Sequence, residues 1–289
     1  MHFPRKQLRF MQQKSMLLDQ LLVAYGHLPH HPGKGMLYDR FLPHVERTWG
    51  LPRLRTRFGV RFECDLHDKV TREIYYIGFD RKDCRILKRL VKPGDVVIDA
   101  GANIGYFSLL FAKWMGGRGI VHAFEPFPES ARRFKRNLEL NPQLEPVVRL
   151  HQLALSEFEG RIGMNVPDQG NQGCNYLNDA GGVEVEVATL DAFCDREHLA
   201  RVDLIKIDVE GSEVAVLQGA ERTIQRFRPV LMIEVNPSTL QNFGYCARDL
   251  IQAIGRHGYR LYYGSRFGLK LLKRLPEQGE EPNVYAFPI

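Results

Sequence analysis

Val96-Val97-Ile98-Asp99-Ala100-Gly101-Ala102-Asn103-Ile104-Gly105 is the stretch that decides the fold. A β-branched apolar run ends on an acid and passes through two glycines into the helical pattern Tyr106 to Met115, which reads as strand, tight turn and helix. An α/β protein builds a nucleotide site this way. Gly101 allows a turn that a Cβ would obstruct, and Gly105 lets the helix start lie close to the strand and its ligand. Asp99 narrows the ligand: a carboxylate at the strand tip is a poor neighbour for pyrophosphate and a good one for ammonium and sulfonium charges.

About twenty residues beyond Gly105, the run Gly119 to Phe124 ends in Glu125-Pro126, where such folds place the acid that grips ribose hydroxyls. The two acids together point to an adenosine ligand that carries positive charge and no phosphates, as S-adenosylmethionine does. A dinucleotide dehydrogenase, or a glycine turn with no ligand, is the blander reading of the glycines alone.

With 289 residues the chain can bury a substantial core. A net charge of +6 favours acidic partners without choosing among nucleic acid, headgroups and anionic glycans. Cys64, Cys84, Cys174, Cys194 and Cys246 are odd in number and form no CxxC pair, which argues against a disulfide framework or zinc cluster and for a reducing cytoplasm. No run is long enough to span a bilayer, and Asp19 and Gln20 interrupt the most apolar part of the N-terminal zone, so no secretion signal is expected there.

Residues 1–57 form a separate N-terminal zone, helical and basic, ahead of a domain over residues 58–289. Leu8, Met11, Leu18, Leu21, Leu22 and Tyr25 recur at helical spacing among Arg5, Lys6, Arg9 and Lys14, an amphipathic helix that either packs on its own domain or makes peripheral contact with a membrane or partner. Gly26 to Gly35 reads as a loop whose histidines are either solvated or able to bind a metal. Phe58, Val60, Phe62, Cys64 and Leu66 alternate, which suggests strands between Arg57 and Tyr76, and a helix follows over Asp83 to Val91.

Beyond Pro126 the order is helix Glu129 to Leu140, a third strand Val147 to Leu155 closing on Ala154-Leu155-Ser156, and two alternating runs around Asp168 to Gly182. Asn171, Gly173, Asn175 and Tyr176 in that middle stretch read either as a lid or as an ordinary hairpin loop. Val202 to Gly211 is a buried-type strand ending in Asp208 and Glu210. Strand Val230 to Val235 carries Glu234, and helix Arg248 to His257 and strands Arg260 to Tyr263 and Asn283 to Phe287 complete the alternation. The order predicts a mostly parallel sheet with helices on both faces, its ligands outside the carboxyl ends of the strands, where Asp99, Glu125, Asp208 and Glu234 meet.

Asp99-Ala100-Gly101-Ala102-Asn103-Ile104-Gly105, Phe124-Glu125-Pro126, Ala154-Leu155-Ser156, Thr189-Leu190-Asp191 and Lys206-Ile207-Asp208-Val209-Glu210-Gly211 with Glu213 resemble the FkbM-type S-adenosylmethionine-dependent methyltransferases over about residues 68–235. The resemblance implies the class I fold, a seven-stranded Rossmann-like α/β sheet with an antiparallel last strand. It implies methylation of a hydroxyl on a sugar, glycan, glycolipid or natural product. Asp99, Gly101, Asn103, Gly105, Tyr106, Glu125, Pro126, Ala154 and Asp208 are then the residues expected around the cofactor. Gly78-Phe79-Asp80 departs from the family's usual Gly-x-Tyr-Glu.

A hydroxyl acceptor gains from proton removal, and Asp208 first and Glu210 second are the expected general bases. The competing roles are orientation of the turn or cofactor by Asp208 and capping of the next helix by Glu210. Lys206 is expected to pair with these acids. No metal is expected; the set that would hold Mg²⁺ is Asp208, Glu234 and Asn236, against which Lys206 competes. A nucleic-acid methyltransferase would use the basic runs Arg132, Arg133, Lys135, Arg136 or Arg266 to Arg274, yet the sequence carries no appended RNA-binding motif. A non-catalytic scaffold is opposed by the intact acids. The pattern fixes no oligomeric state.

Overall fold

A computed structural model of the chain describes residues 5–28, 34–46, 50–165, 176–177, 182–265 and 268–289. The histidine-containing stretch 29–33, the glycine- and asparagine-rich stretch 168–175 with Asn171, Gly173, Cys174 and Asn175, and Arg266 lie outside those residues, as do the side chains of Leu8, Met11 and Tyr176. The described chain forms two compact units, one of residues 1–57 and 61–79, the other of residues 58–60 and 80–289.

In the first unit, α1 (Arg5–His27) and α2 (Lys34–Val45) precede a two-stranded sheet of β1 (Arg53–Arg57) and β2 (Val60–Cys64) and helix α3 (Lys69–Tyr76). Leu22, Tyr38, Phe62, Leu66, Ile74 and Tyr76 are its buried core. Asp19, the acid that interrupts the apolar N-terminal run, is buried among them, paired with Arg53 at 2.5 Å and accepting from the Tyr76 hydroxyl. The alternation that suggests strands as far as Tyr76 holds only to Cys64. Asp68 ends it, because its Oδ1 accepts from Thr71 N at 2.9 Å and so caps α3.

The second unit is built on one large sheet. After α4 (Arg81–Leu90) come β3 (Val96–Ala100), α5 (Tyr106–Trp114), β4 (Ile120–Phe124), α6 (Pro128–Glu139), a 3₁₀ turn (Pro142–Val147) and β5 (Val148–His151). A smaller sheet follows, with β6 (Ala154–Leu155), β7 (Gly160–Asn165), β8 (Tyr176–Leu177) and β9 (Val183–Ala188). The chain then returns through α7 (Leu190–Arg196), β10 (Leu204–Ile207), α8 (Glu213–Gln218), α9 (Glu221–Phe227) and β11 (Val230–Glu234). It closes with α10 (Pro237–Gln241), α11 (Ala247–Gly255), β12 (Tyr259–Ser265), β13 (Gly268–Leu271) and β14 (Asn283–Pro288).

The large sheet has the order β13-β12-β14-β11-β10-β3-β4-β5. Its five strands from β11 to β5 are parallel, and β14 enters antiparallel beside β11. This is the class I methyltransferase fold, with eight strands among the described residues where seven are expected, because the short β13 adds an edge beside β12. Ile98, Ala100, Ile205, Ile207, Leu231 and Ile233 are fully enclosed in one core cluster, which is why these central strands read as continuous apolar runs.

From β3 the chain winds one way through β4 to β5 and then starts again from β10 to β11 on the other side. Right-handed crossovers put the two sets of helices on opposite faces. The order therefore reverses between β3 and β10, and their carboxyl ends form the crevice where such sheets bind ligands.

One strand is shorter than the sequence suggests. The run Val147 to Leu155 is broken after His151, and Ala154 and Leu155 pair instead with Val187 and Ala188 in the smaller sheet. Ala154 belongs to the apolar cluster of that sheet with Met164, Val185 and Val187, against which Phe127 packs.

Candidate active site

The turn after β3 is held by backbone bonds: Gly101 N and Ala102 N both donate to Phe124 O, at 3.1 and 2.9 Å. Gly101 has φ of 75°, and a Cβ there would collide with the carbonyl oxygen of Asp208 across the crevice. Gly105, with φ of 82°, starts α5 against the ring of Phe134 with no room for a side chain. Both positions need glycine for backbone angle and for space. Asn103 lies between them with φ of 50°, the left-handed region that Asn tolerates better than most residues.

Glu125 fixes this turn from β4. It is buried; its Oε2 accepts from Asn103 N at 2.7 Å and its Oε1 from Phe127 N at 2.9 Å. Burial pushes its carboxyl up to about 7, although the two backbone donors oppose the rise. Pro126 follows, and Phe127 and Pro128 open α6. Tyr106 is buried with its hydroxyl 3.7 Å from Cys84 Sγ, on the side of α4.

Asp99 is expected beside the ligand's cations, and the cation beside it in the structure is Lys206. The parallel register of β3 and β10 sets Lys206 directly opposite Asp99. Lys206 Nζ stands 3.3 Å from Asp99 Oδ1 and 3.1 Å from Asp208 Oδ2, and Asp99 Oδ2 accepts from Ser108 Oγ at 2.5 Å. Asp99 has no exposed surface and the Lys206 side chain 2%, whereas Asp208 keeps 30%. Burial acts against the ammonium charge, but the carboxylates of Asp208 and Asp99 outweigh it and hold Lys206 above the ordinary lysine range. Lys206 thus links the turn after β3 to the acid at the tip of β10.

Asp208 leads into a second acid group. Glu210 sits at φ of 56°, and Glu213 opens α8 while its Oε1 accepts from Gly211 N at 3.0 Å and Val209 N at 3.3 Å. The carboxylate that closes on this turn is therefore Glu213, and Glu210 makes no cap of the kind considered for it. Burial, then Asp208, Glu213 and Glu281, raises Glu210 to about 8; burial raises Glu213 to about 7 against its backbone donors. Glu234, at the end of β11, is pushed to about 10 by burial and by Asp208, Glu210 and Glu213. Asp99, Glu125, Asp208 and Glu234 do end four neighbouring parallel strands of the sheet, as the alternation requires.

Two acids at the start of α4 complete this rim: Asp80, which the sequence marks only as a departure from the family's Gly-x-Tyr-Glu, and Asp83, which carries no readable signal. Asp80, in the left-handed region at φ of 44°, is raised to about 7 by burial and then by Asp83 and Asp208. Asp83 accepts from the Tyr285 hydroxyl at 2.6 Å and Asn283 Nδ2 at 3.2 Å, tying α4 to β14. Only the sheet order brings Asp83 to those two residues of the last strand.

Of the set considered for Mg²⁺, Asp208 pairs with Lys206, and Asn236 Oδ1 caps α10 through Ser238 N at 3.0 Å and Thr239 N at 3.4 Å. Among the described residues no group of three or more His, Cys, Asp or Glu side chains is arranged to hold a metal ion. A cleft of about 500 Å³ opens between His151, Arg161, Glu186 and Arg196. None of the residues expected around the cofactor lines it.

The 2-O-methyltransferase NoeI of Sinorhizobium fredii is 29% identical over 163 residues, covering 50% of this chain and 65% of that protein. The hexuronic acid methyltransferase AglP of Haloferax volcanii is 25% identical over 148 residues, covering 51% and 59%. The chain thus spans about three fifths of the length of these curated relatives. Among solved structures, methyltransferase FkbM from Methylobacillus flagellatus KT aligns over 95% of this chain and 59% of its own, at 16% identity and a TM-score of 0.45. The family described as the methyltransferase FkbM domain matches residues 99–261, more than half of the chain, and the protein belongs to that family.

Proposed function

We propose that the chain transfers a methyl group from S-adenosylmethionine to a hydroxyl of a sugar, glycan or natural-product acceptor. Residues 58–289 would form the transferase domain behind an N-terminal extension of residues 1–57. The observation that carries this reading is the crevice between β3 and β10. On one side lies the glycine turn 101–105, tied to buried Glu125; on the other, Asp208 is held by Lys206. The donor fits this set because Gly101 and Gly105 keep the turn free of bulk and Glu125 suits ribose hydroxyls. The relatives named as a 2-O-methyltransferase and a hexuronic acid methyltransferase support oxygen and sugar chemistry.

When bound, the sulfonium supplies a methyl group already activated for in-line displacement. The chain's work is then alignment and proton removal. Holding two reactants in line can contribute roughly 7–11 kcal/mol in favourable cases. Lys206 fixes one carboxylate oxygen of Asp208, which leaves the other to take the acceptor's hydroxyl proton. Glu210, pushed to about 8, is largely protonated at neutral pH, which favours Asp208 as the base.

The test is isothermal titration of the purified chain with S-adenosylmethionine and, separately, with NAD, followed by a screen of sugars, glycolipids and hydroxylated metabolites. Saturable binding of the first alone, and turnover on a hydroxylated acceptor, is the expected result. Binding of NAD in its place would refute the donor.

A further inference from the structure

We infer that the exposed apolar face of α1, with the exposed Met36 of α2, docks on an anionic membrane surface. Asp19, Leu22 and Gly26 turn one side of α1 into the first unit, and at 100° per residue Leu17 and Leu21 point the opposite way. Met16, Leu17 and Leu21 are 57%, 59% and 57% exposed, Leu28 just after the helix 50%, and Met36 on α2 71%. Among the described residues, six of the 13 large hydrophobic side chains that are exposed, from Met16 to Leu37, lie on α1, on α2 or between them. This concentration exceeds the scatter expected of an ordinary surface and marks an interaction face.

Charge chooses the occupant. Residues 1–57 hold ten Lys and Arg against three Asp and Glu, an excess of seven, while the whole chain has +6, so residues 58–289 sum to −1. Arg53, Arg55 and Arg57 are engaged within the unit, with Asp19, the Tyr75 ring and the Ile74 and Tyr75 carbonyls, and helices α1 and α2 still hold six Lys and Arg against two Asp, an excess of four, with Arg5, Lys6, Arg9 and Lys14 in α1 itself. A second copy offering the same face would bring two such cationic zones together, which is repulsive. Lipid headgroups of negative charge attract the cations while the leucines and methionines enter the acyl boundary. Among the described residues no helix is long and apolar enough to cross a membrane, so the helix would lie in the interface plane. The inference does not depend on the methyl-transfer reading.

The experiment is co-sedimentation of the full chain with vesicles of phosphatidylcholine alone and of phosphatidylcholine with about 30% phosphatidylglycerol. Binding to the anionic vesicles only is expected, falling about fivefold or more between roughly 0.1 and 0.5 M salt. Leu17→Glu with Leu21→Glu replaces two exposed side chains; it is expected to weaken that binding about tenfold or more while circular dichroism and S-adenosylmethionine binding are unchanged. Absence of binding to either vesicle, or undiminished binding by the double variant, would overturn the inference. So would a concentration-dependent dimer in sedimentation velocity that the double variant abolishes, since the face would then belong to a second copy.

Discussion

Lys206→Met removes the only cation that ion-pairs with either Asp99 or Asp208 among the described residues and leaves the methylene stem nearly intact. At an effective dielectric of about 20, the contacts at 3.3 and 3.1 Å correspond to roughly 5 kcal/mol of attraction each. Most of that is offset by the cost of taking the three charges out of water, several kcal/mol per ion. The variant loses the attraction and keeps the cost at Asp99, which has no exposed surface, while Asp208, partly open to solvent, is compensated by water. The expected loss is about 3–5 kcal/mol, the scale for breaking a buried pair from one side, or a fall in Tm of roughly 5–8 °C. Urea unfolding followed by circular dichroism measures it. Adding Asp99→Asn removes the stranded charge, so the double variant is expected to recover about half of the loss and the two changes to be strongly non-additive. A loss below about 1 kcal/mol in Lys206→Met, or simple additivity of the pair, would refute the reasoning.

Glu125→Gln keeps the shape but weakens the two backbone bonds to the turn and any bond to ribose hydroxyls; S-adenosylmethionine binding by calorimetry is expected to weaken by about 1.5–3 kcal/mol, the scale for hydrogen bonds to a charged group. Asp208→Asn is expected to lower kcat much more than donor affinity, and an equal loss of both would assign Asp208 to orienting the donor. Gly101→Ala drives a Cβ into the Asp208 carbonyl at a left-handed φ, so donor binding is expected to be lost along with several kcal/mol of stability. The ligand-free protein is expected to lose stability as pH rises from about 5 to 8, seen in its urea midpoint. Glu125 is raised from 4.5 to about 7, so the folded state binds its proton more tightly. That contribution, on the order of 3 kcal/mol, is full below the unfolded value and lost as pH passes the folded one. Over the same range the affinity for S-adenosylmethionine is expected to rise, because the ionised carboxylate is the better acceptor. A flat pH profile of both quantities would show that Glu125 is ionised throughout.

The strands that carry the site were legible because each is a short apolar run ended by an acid: Val96 to Asp99, Ile120 to Glu125, Leu204 to Asp208, Val230 to Glu234. Burial on both faces dictates the run, and the carboxyl-end crevice dictates where its acids gather. The short elements were not legible. Helix α3 packs Val70, Thr71 and Ile74 with two tyrosines into eight residues, a composition that favours strand, and only the Asp68 cap tells against it. The break after His151 is invisible because Ala154 and Leu155 are as apolar as a continuing strand; what ends the strand is the arrival of Val187 and Ala188, more than thirty residues on. The same limit explains the acids. Asp99 reads as a ligand contact for as long as its neighbour is unknown, and nothing local in Leu204-Ile205-Lys206-Ile207 says that this strand lies beside β3. Once it does, the register alone puts Lys206 opposite Asp99, and the nearest oxygen of Asp208 falls within 3.1 Å of the same ammonium. On the proposed function, Asp99 reaches the crevice through Lys206 and would act by fixing the direction of Asp208. Asp99→Asn should accordingly lower turnover through Asp208 with little change in donor affinity. A calorimetric loss of affinity in that variant as large as in Glu125→Gln would return Asp99 to direct contact with the donor.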